Sequence, residues 1–272
     1  MQPIDSPAPT ATAPPTVTAT ATATSPPTET ATPTATPTAT ATATLTPTPT
    51  PLPGAELIAF ETYRYGKGEV YLFDGGTGEM INLTRHPEAD GAPSWRPDGG
   101  AIAFQSRRDG NWEIYLLELA DDSLTRLTDN LAYDGAPAWN PEGTQIAFES
   151  YRDGNLEIYV QDVASGQTHR LTDNAAGDYG PAWRPAGADG PGAIAFTSWR
   201  DGNKEIYVVP AEGGEARNLT QHPADDEDPA WATDGSALAF VSWRDVDGES
   251  GNRNAEIYRI PWSEEPVAAE PE

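Results

Sequence analysis

Residues 137–159 read PAWNPEGTQIAFESYRDGNLEIY, and this stretch recurs in the chain. Residues 93–115 read PSWRPDGGAIAFQSRRDGNWEIY, and residues 181–207 read PAWRPAGADGPGAIAFTSWRDGNKEIY. Trp95, Trp139 and Trp183 stand 44 residues apart, and Trp231 heads a fourth copy. Phe60, Phe104, Phe148, Phe196 and Phe240 form a second column, and Tyr71, Tyr115, Tyr159, Tyr207 and Tyr258 a third. Insertions at Gly187–Gly192 and Val246–Asn254 stretch the later copies. A repeat of this length is one supersecondary unit that cannot bury its own apolar face, so neighbouring copies must stack.

Each copy reads as four short strands. Pro-Ala-Trp opens the first, and a Pro-x-Gly turn (Pro97–Gly99, Pro141–Gly143) leads to Ile-Ala-Phe in the second. Asp-Gly-Asn turns the chain into Glu-Ile-Tyr, and Arg-Leu-Thr is the fourth. Gly and Asn accept the positive φ of a tight hairpin turn, so Asp-Gly-Asn between apolar runs marks a hairpin. A four-stranded unit of this size selects a β-propeller. The expectation is an all-β fold of about five blades, three complete and two partial. The first unit lacks a Pro-x-Trp strand and the last stops soon after Ile260. Closure removes strand edges, so the two ends are expected to meet, with Trp262–Ala268 or the end of the N-terminal tract supplying a closing strand.

The same patterns resemble the WD-like repeats of TolB-type propellers over residues 55–260. The resemblance implies a propeller, six-bladed in the usual member, that mostly mediates protein contacts or serves as an accessory domain of peptidases. The helical domain that precedes the propeller in TolB has no counterpart here, so TolB's own role is not carried over.

Residues 1–54 are almost entirely Thr, Ala, Pro and Ser. Such a tract cannot build a core and is expected to be a disordered, extended spacer. Residues 55–266 are assigned to the propeller and 267–272 to a disordered tail. The chain carries a formal charge of −26, and only Asp5 and Glu29 lie before Gly54. That excess of acids excludes nucleic acid as a partner, because phosphates need Lys and Arg. With no cysteine there is no disulfide or thiolate chemistry. No apolar run reaches the length of a membrane span, and no export signal is present in the sequence. A mucin-like tract is typical of cell-surface stalks, so an extracellular, cell-surface or periplasmic setting is expected, with a signal or anchor upstream of these residues.

Asp90, Asp134, Asp178 and Asp226 each precede a head Trp by five residues, and Arg64, Arg108, Arg152, Arg200 and Arg244 each follow a Phe by four. Both columns fall on one face of a propeller. Two readings stay open: Asp–Arg pairs that lock the loops, or a ring of aspartates that collects a cation or a basic ligand. Turn chemistry accounts for Asp109, Asp153, Asp201 and Asp245, and the unbroken recurrence of Glu69, Glu113, Glu157, Glu205 and Glu256 points to structure. The Trp, Phe and Tyr columns read as core between blades. Tyr63, Tyr151, Trp199 and Trp243, beside the Arg-Asp-Gly turns, and Trp112 lie outside those columns and are the better candidates for recognition.

Two loops break the repeat. Residues 222–228 (HPADDED) crowd acids ahead of Trp231, and residues 245–252 (DVDGESGN) space oxygen ligands in a way loosely like a calcium loop. No cofactor is required, and calcium is the one metal considered. The three histidines are scattered, no Gly-x-Ser-x-Gly elbow exists, and no catalytic residue is assigned. The leading function is a non-enzymatic scaffold that binds a protein, peptide or glycan through its loop face. The alternative is a calcium- or carboxylate-dependent propeller hydrolase or lactonase.

Overall fold

The computed structural model describes residues 56–64, 66–185, 192–244 and 255–262. The tract 1–54, most of both insertions, the calcium-like loop 245–252 and residues 263–268 therefore lie outside the described residues. Eighteen strands and no helix occur among those described. Sheet one holds β1 (Leu57–Thr62), β2 (Glu69–Asp74) and β3 (Met80–Asn82). Sheet two holds β4 (Asp90–Trp95), β5 (Ala101–Ser106), β6 (Glu113–Glu118) and β7 (Leu124–Arg126). Sheet three holds β8 (Asp134–Trp139), β9 (Gln145–Ser150), β10 (Glu157–Asp162) and β11 (Thr168–Arg170). Sheet four holds β12 (Asp178–Trp183), β13 (Ala193–Ser198), β14 (Glu205–Pro210) and β15 (Arg217–Asn218). Sheet five holds β16 (Asp226–Trp231), β17 (Ala237–Ser242) and β18 (Glu256–Pro261). Each sheet is an antiparallel meander in chain order, as hairpin connections require. The three inner sheets have four strands and the two outer ones three, which gives five propeller blades.

The innermost strands pack side by side, β1 and β8 against β4, and β8 and β16 against β12. Nothing comparable joins sheet five to sheet one among the described residues. Each inner strand also carries a bulge where Asp-Gly-Ala-Pro or its counterpart breaks the register. Proline has no N–H to give the ladder, and the residue before it turns left-handed: Ala92, Ala136, Gly180 and Asp228, with φ of 47°, 48°, 61° and 55°.

The core is four clusters, each shared by two consecutive sheets. Between sheets two and three, Ala101, Ala103, Ile114 and Leu116 meet Trp139, Ile146, Phe148 and Tyr159. Corresponding residues fill the other three interfaces. Two indoles add hydrogen bonds across interfaces, Trp139 Nε1 to the Ser94 carbonyl at 3.2 Å and Trp231 Nε1 to the Ala182 carbonyl at 3.0 Å. Nothing among the described residues packs over the outward faces of the two terminal sheets. Ile58 is 56% exposed and Ile257 82%, whereas Ile146 and Ile158, at the same repeat positions, are 1% and 0% exposed. The expected meeting of the first and last units is thus not present among the described residues.

Candidate functional site

The recurring polar residues form the same ion pair in every sheet that has an Asp-bearing inner strand. Asp90, Asp134, Asp178 and Asp226 are fully buried, and they accept hydrogen bonds from Arg108, Arg152, Arg200 and Arg244 at 3.1, 2.9, 2.8 and 2.7 Å. The guanidinium of Arg152 lies 4.4 Å over the Tyr159 ring, and those of Arg108, Arg200 and Arg244 lie over the matching tyrosines. Arg64 is exposed, in a sheet with no inner strand to bring it an aspartate. Burial pushes the Asp178 carboxyl above its ordinary value, and the bonds from Ser198 and Arg200 only partly offset it.

A second network lies toward the rim. Glu113 accepts bonds from Thr128 (2.6 Å), Arg126 (3.1 Å) and Asn111 (2.8 Å). Glu157 does the same with Thr172, Arg170 and Asn155. The turn aspartates Asp109, Asp153 and Asp201 accept the hydroxyls of Tyr115, Tyr159 and Tyr207. Most of these groups are occupied by one another, sheet after sheet, while Asp90 Oδ2 and Asp178 Oδ1 are buried without a hydrogen-bond partner.

A functional site must break that symmetry, and one region does. In the Ile-Ala-Phe strands β1, β5 and β9, Glu61, Gln105 and Glu149 reach across to the next sheet and accept the N–H groups of Ala92 (3.1 Å), Ala136 (3.1 Å) and Gly180 (2.8 Å). Glycine at 91 and 135 makes room, because a Cβ there would lie 2.4 Å from Glu61 and 2.5 Å from Gln105. At the fourth interface the pattern changes. Thr197 stands in the place of Glu149, fully buried and with its hydroxyl lacking a hydrogen-bond partner. Asp228 replaces the left-handed Gly or Ala, and Glu227 stands where Gly91 and Gly135 were, a position that Tyr179 holds at the third interface.

Beside this break, on the loop face between sheets four and five, opens a cleft of about 510 Å³ lined by Lys204, His222, Pro223, Ala224, Asp225, Glu227 and Trp243. Lys204 is ion-paired with Glu227 and lies 5.6 Å over the Trp199 ring. The Trp243 indole donates to the other Glu227 oxygen at 2.9 Å. Asp225 accepts the Lys204 N–H at 3.1 Å. His222 Nδ1 accepts the Ala224 N–H at 3.0 Å, which puts the ring proton of a neutral imidazole on Nε2. Burial works to raise Glu227, but the bonds from Lys204 and Trp243 outweigh it and hold the carboxyl below its ordinary value. Burial, and then the Glu227 charge, push Asp228 the other way.

Of the residues singled out for recognition, Trp199 and Trp243 flank this cleft and are 44% and 37% exposed. Tyr63 and Tyr151 are exposed on other sheets, and Trp112 packs under Arg107, 5.9 Å from its ring. Arg107 and Trp112 occupy the repeat positions of Trp199 and Lys204, with cation and ring exchanged. The acidic stretch 222–228 falls in the cleft, but Lys204 was not singled out by the sequence. The signal was there: Lys204 is Trp112 or Leu156 in the other complete sheets, and Glu227 is Gly91, Gly135 or Tyr179. No group of three or more His, Cys, Asp or Glu residues able to hold a metal occurs among the described residues, and no helix there is long and apolar enough to cross a membrane.

Solved structures with this arrangement include TolB from Acinetobacter baumannii, 23% identical with a TM-score of 0.65 over 75% of this chain and 50% of that one. The putative TolB from Agrobacterium tumefaciens is 22% identical, with a TM-score of 0.53 over 75% of this chain and 86% of that one. An oligogalacturonate lyase in complex with manganese is 18% identical, with a TM-score of 0.56 over 75% and 59%. At these identities the likeness is one of fold, and the chain spans half the length of the Acinetobacter protein. No curated protein matches the sequence. The TolB beta propeller domain, PD40, matches residues 35–189. The chain therefore belongs to the TolB beta propeller domain family.

Proposed function

We propose that this propeller is a protein-binding scaffold whose docking site is the cleft between sheets four and five. The observation that carries the reading is the pair of exposed indoles, Trp199 and Trp243, set around the Lys204–Glu227 ion pair where the repeat loses its symmetry. Tryptophan is among the residues that supply most of the binding energy where a partner buries them at the centre of an interface. The ligand is a peptide segment with an apolar or basic side chain. Asp225 and Glu227 line the cleft, and the chain carries a net charge of −26, so long-range attraction favours a basic partner. The Thr/Pro/Ala tract of residues 1–54 supports a setting at the cell exterior or in the periplasm, where such a tract is a spacer. The lyase fold in the comparison does not bring its chemistry here, since fold alone does not carry function.

The test is a peptide array probed with the whole chain, followed by titration of the best binder. Trp243→Ala and Trp199→Ala are expected to weaken binding by at least about tenfold, the loss of a hot-spot side chain. Tyr151→Ala, exposed on sheet three, is expected to leave it unchanged. Affinity should fall as salt screens the acidic surface. Equal affinity in wild type and both tryptophan variants would place the docking site elsewhere.

A further inference from the structure

The outer edge of sheet five is built to accept a strand, and the other sheets show which strand. In sheet two β7 runs antiparallel to β6 with Tyr115 opposite Arg126, and the Leu127 N–H donates to the Ile114 carbonyl at 2.8 Å. In sheet three Tyr159 faces Arg170 and Leu171 donates to Ile158, also at 2.8 Å. In sheet four Tyr207 faces Asn218 and Leu219 donates to Ile206 at 2.8 Å. Sheet one repeats this with Asn82 and Leu83.

The side chains follow the same rule. The residue after each leucine is a threonine whose hydroxyl accepts the N–H of Ile114 (2.9 Å), Ile158 (2.9 Å) or Ile206 (3.0 Å). The same hydroxyl donates to Glu113, Glu157 or Glu205. Arg126 and Arg170 then neutralise Glu113 and Glu157. Each outer strand thus reads Arg or Asn, Leu, Thr, and its polar side chains bond the strand inside or the turn before it.

Sheet five presents the receiving half of this arrangement. Glu256, Ile257 and Tyr258 occupy the register positions of Glu113, Ile114 and Tyr115. Yet Glu256 is exposed and Ile257 is 82% exposed, where Glu113 and Ile114 are 0% and 1%. By the same register, the N–H groups of Ile257 and Arg259 point outward from β18. Pro261 limits the ladder but does not prevent it, since β14 ends in Pro210 and still pairs the two-residue β15. Among the described residues no strand pairs with the outer edge of β18, and open edges of this kind recruit strands from other chains.

We propose that β18 is a second docking site, separate from the tryptophan cleft, which takes an extended segment of a partner protein as the fourth strand of sheet five. The segment carries a basic or amide residue, an apolar residue and a threonine in succession. Charge complementarity decides for a partner of that chemistry over a second copy of this acidic chain. The basic side chain reaches Glu256, the threonine hydroxyl lies between Glu256 and the Ile257 N–H, and the apolar residue covers Ile257.

The probe is a fluorescein-labelled peptide with the sequence of residues 122–130, DSLTRLTDN, titrated against the whole chain by fluorescence polarisation. Saturable binding is expected, together with slowed hydrogen exchange at the Ile257 and Arg259 amides. Glu256→Lys should weaken the peptide about tenfold or more, and a peptide with Arg→Glu at its fifth position should recover the loss on that variant. Glu256 is exposed, so the variant keeps its fold, and the charge-swap recovery excludes damage to the sheet. Trp243→Ala should leave this binding unchanged, which separates failure here from failure of the cleft. Absence of saturable binding, or binding indifferent to Glu256→Lys, overturns the proposal. So does slow exchange at Ile257 and Arg259 in the free protein. If that protection holds on dilution, the chain covers its own edge; if it needs high concentration, a second copy does.

Discussion

Asp134 has two readings that predict opposite signs. It is fully buried and bonded to Arg152 at 2.9 Å, with Ser150 holding the same guanidinium at 2.8 Å. Removing the carboxylate takes the acceptor from Arg152, whose side chain is 27% exposed, and from Asn130, and charge-assisted bonds of this kind are worth about 1.5–3 kcal/mol. Asp134→Ala is therefore expected to lose about 1.5–3 kcal/mol in urea unfolding, and Asp134→Ala with Arg152→Ala less than the sum of the two singles. An aspartate kept for a cation would behave in reverse, because its removal relieves repulsion in the absence of ligand. Glu227 offers a second test at this scale. Its folded-state pKa is lowered by Lys204 and Trp243 against the effect of burial, so its contribution to stability is full above the ordinary glutamate range and is lost as pH falls through the folded value. Asp228, raised by burial, runs the other way: its cost to stability sets in as pH rises above the ordinary aspartate range and is complete above the folded value. An acid titration of tryptophan fluorescence should show a transition from the Trp243–Glu227 bond that disappears in Glu227→Gln. If Glu227→Gln titrates as wild type does, the bond is not formed in solution.

Within a sheet, the short outer strand is held more by side chains than by its ladder. β11 pairs only three residues with β10, but Thr172 both receives the Ile158 N–H and donates to Glu157. Thr172→Val keeps the shape and removes both bonds, leaving a buried carboxylate and a buried N–H short of a partner. The expected cost is about 2 kcal/mol by urea unfolding, while Thr168→Val, exposed at the start of the same strand, should be neutral. A similar value for both would mean that the hydroxyl network adds nothing. This element was legible in the sequence as Arg-Leu-Thr, and so were the hairpins, because their periodicity and turn chemistry are local. The partner of the threonine was not legible. Glu157 and Thr172 are 15 residues apart, and only the register of β10 on β11 brings them together. The cleft was half legible for the same reason: exposed tryptophans at turns stand out, whereas Lys204 and Glu227 come from different sheets and meet only across an interface.

A propeller of repeats distributes its stability through nearest-neighbour interfaces, so sheets with two neighbours should outlast sheets with one. Composition and repeat length foretold five blades, three of them complete, but not that Ile58 and Ile257 would stay exposed at the two ends. Sequence columns treat both as equivalent to buried isoleucines. Ile158 and Ile257 therefore make a matched pair for the whole fold, one 0% and the other 82% exposed at the same repeat position. Ile158→Asp places an unpaired carboxylate between sheets three and four, where it costs about 4 kcal/mol or prevents folding. Ile257→Asp is expected to change stability by less than about 0.5 kcal/mol, as a substitution on an exposed face does. Hydrogen exchange should show the same gradient, fastest in sheets one and five and slowest in sheet three, because local opening follows the number of packed neighbours. If Ile257→Asp destabilises as Ile158→Asp does, the outward faces of the terminal sheets are covered in solution. Uniform exchange across all five sheets would carry the same meaning, because a ring with every interface made has no end from which to fray.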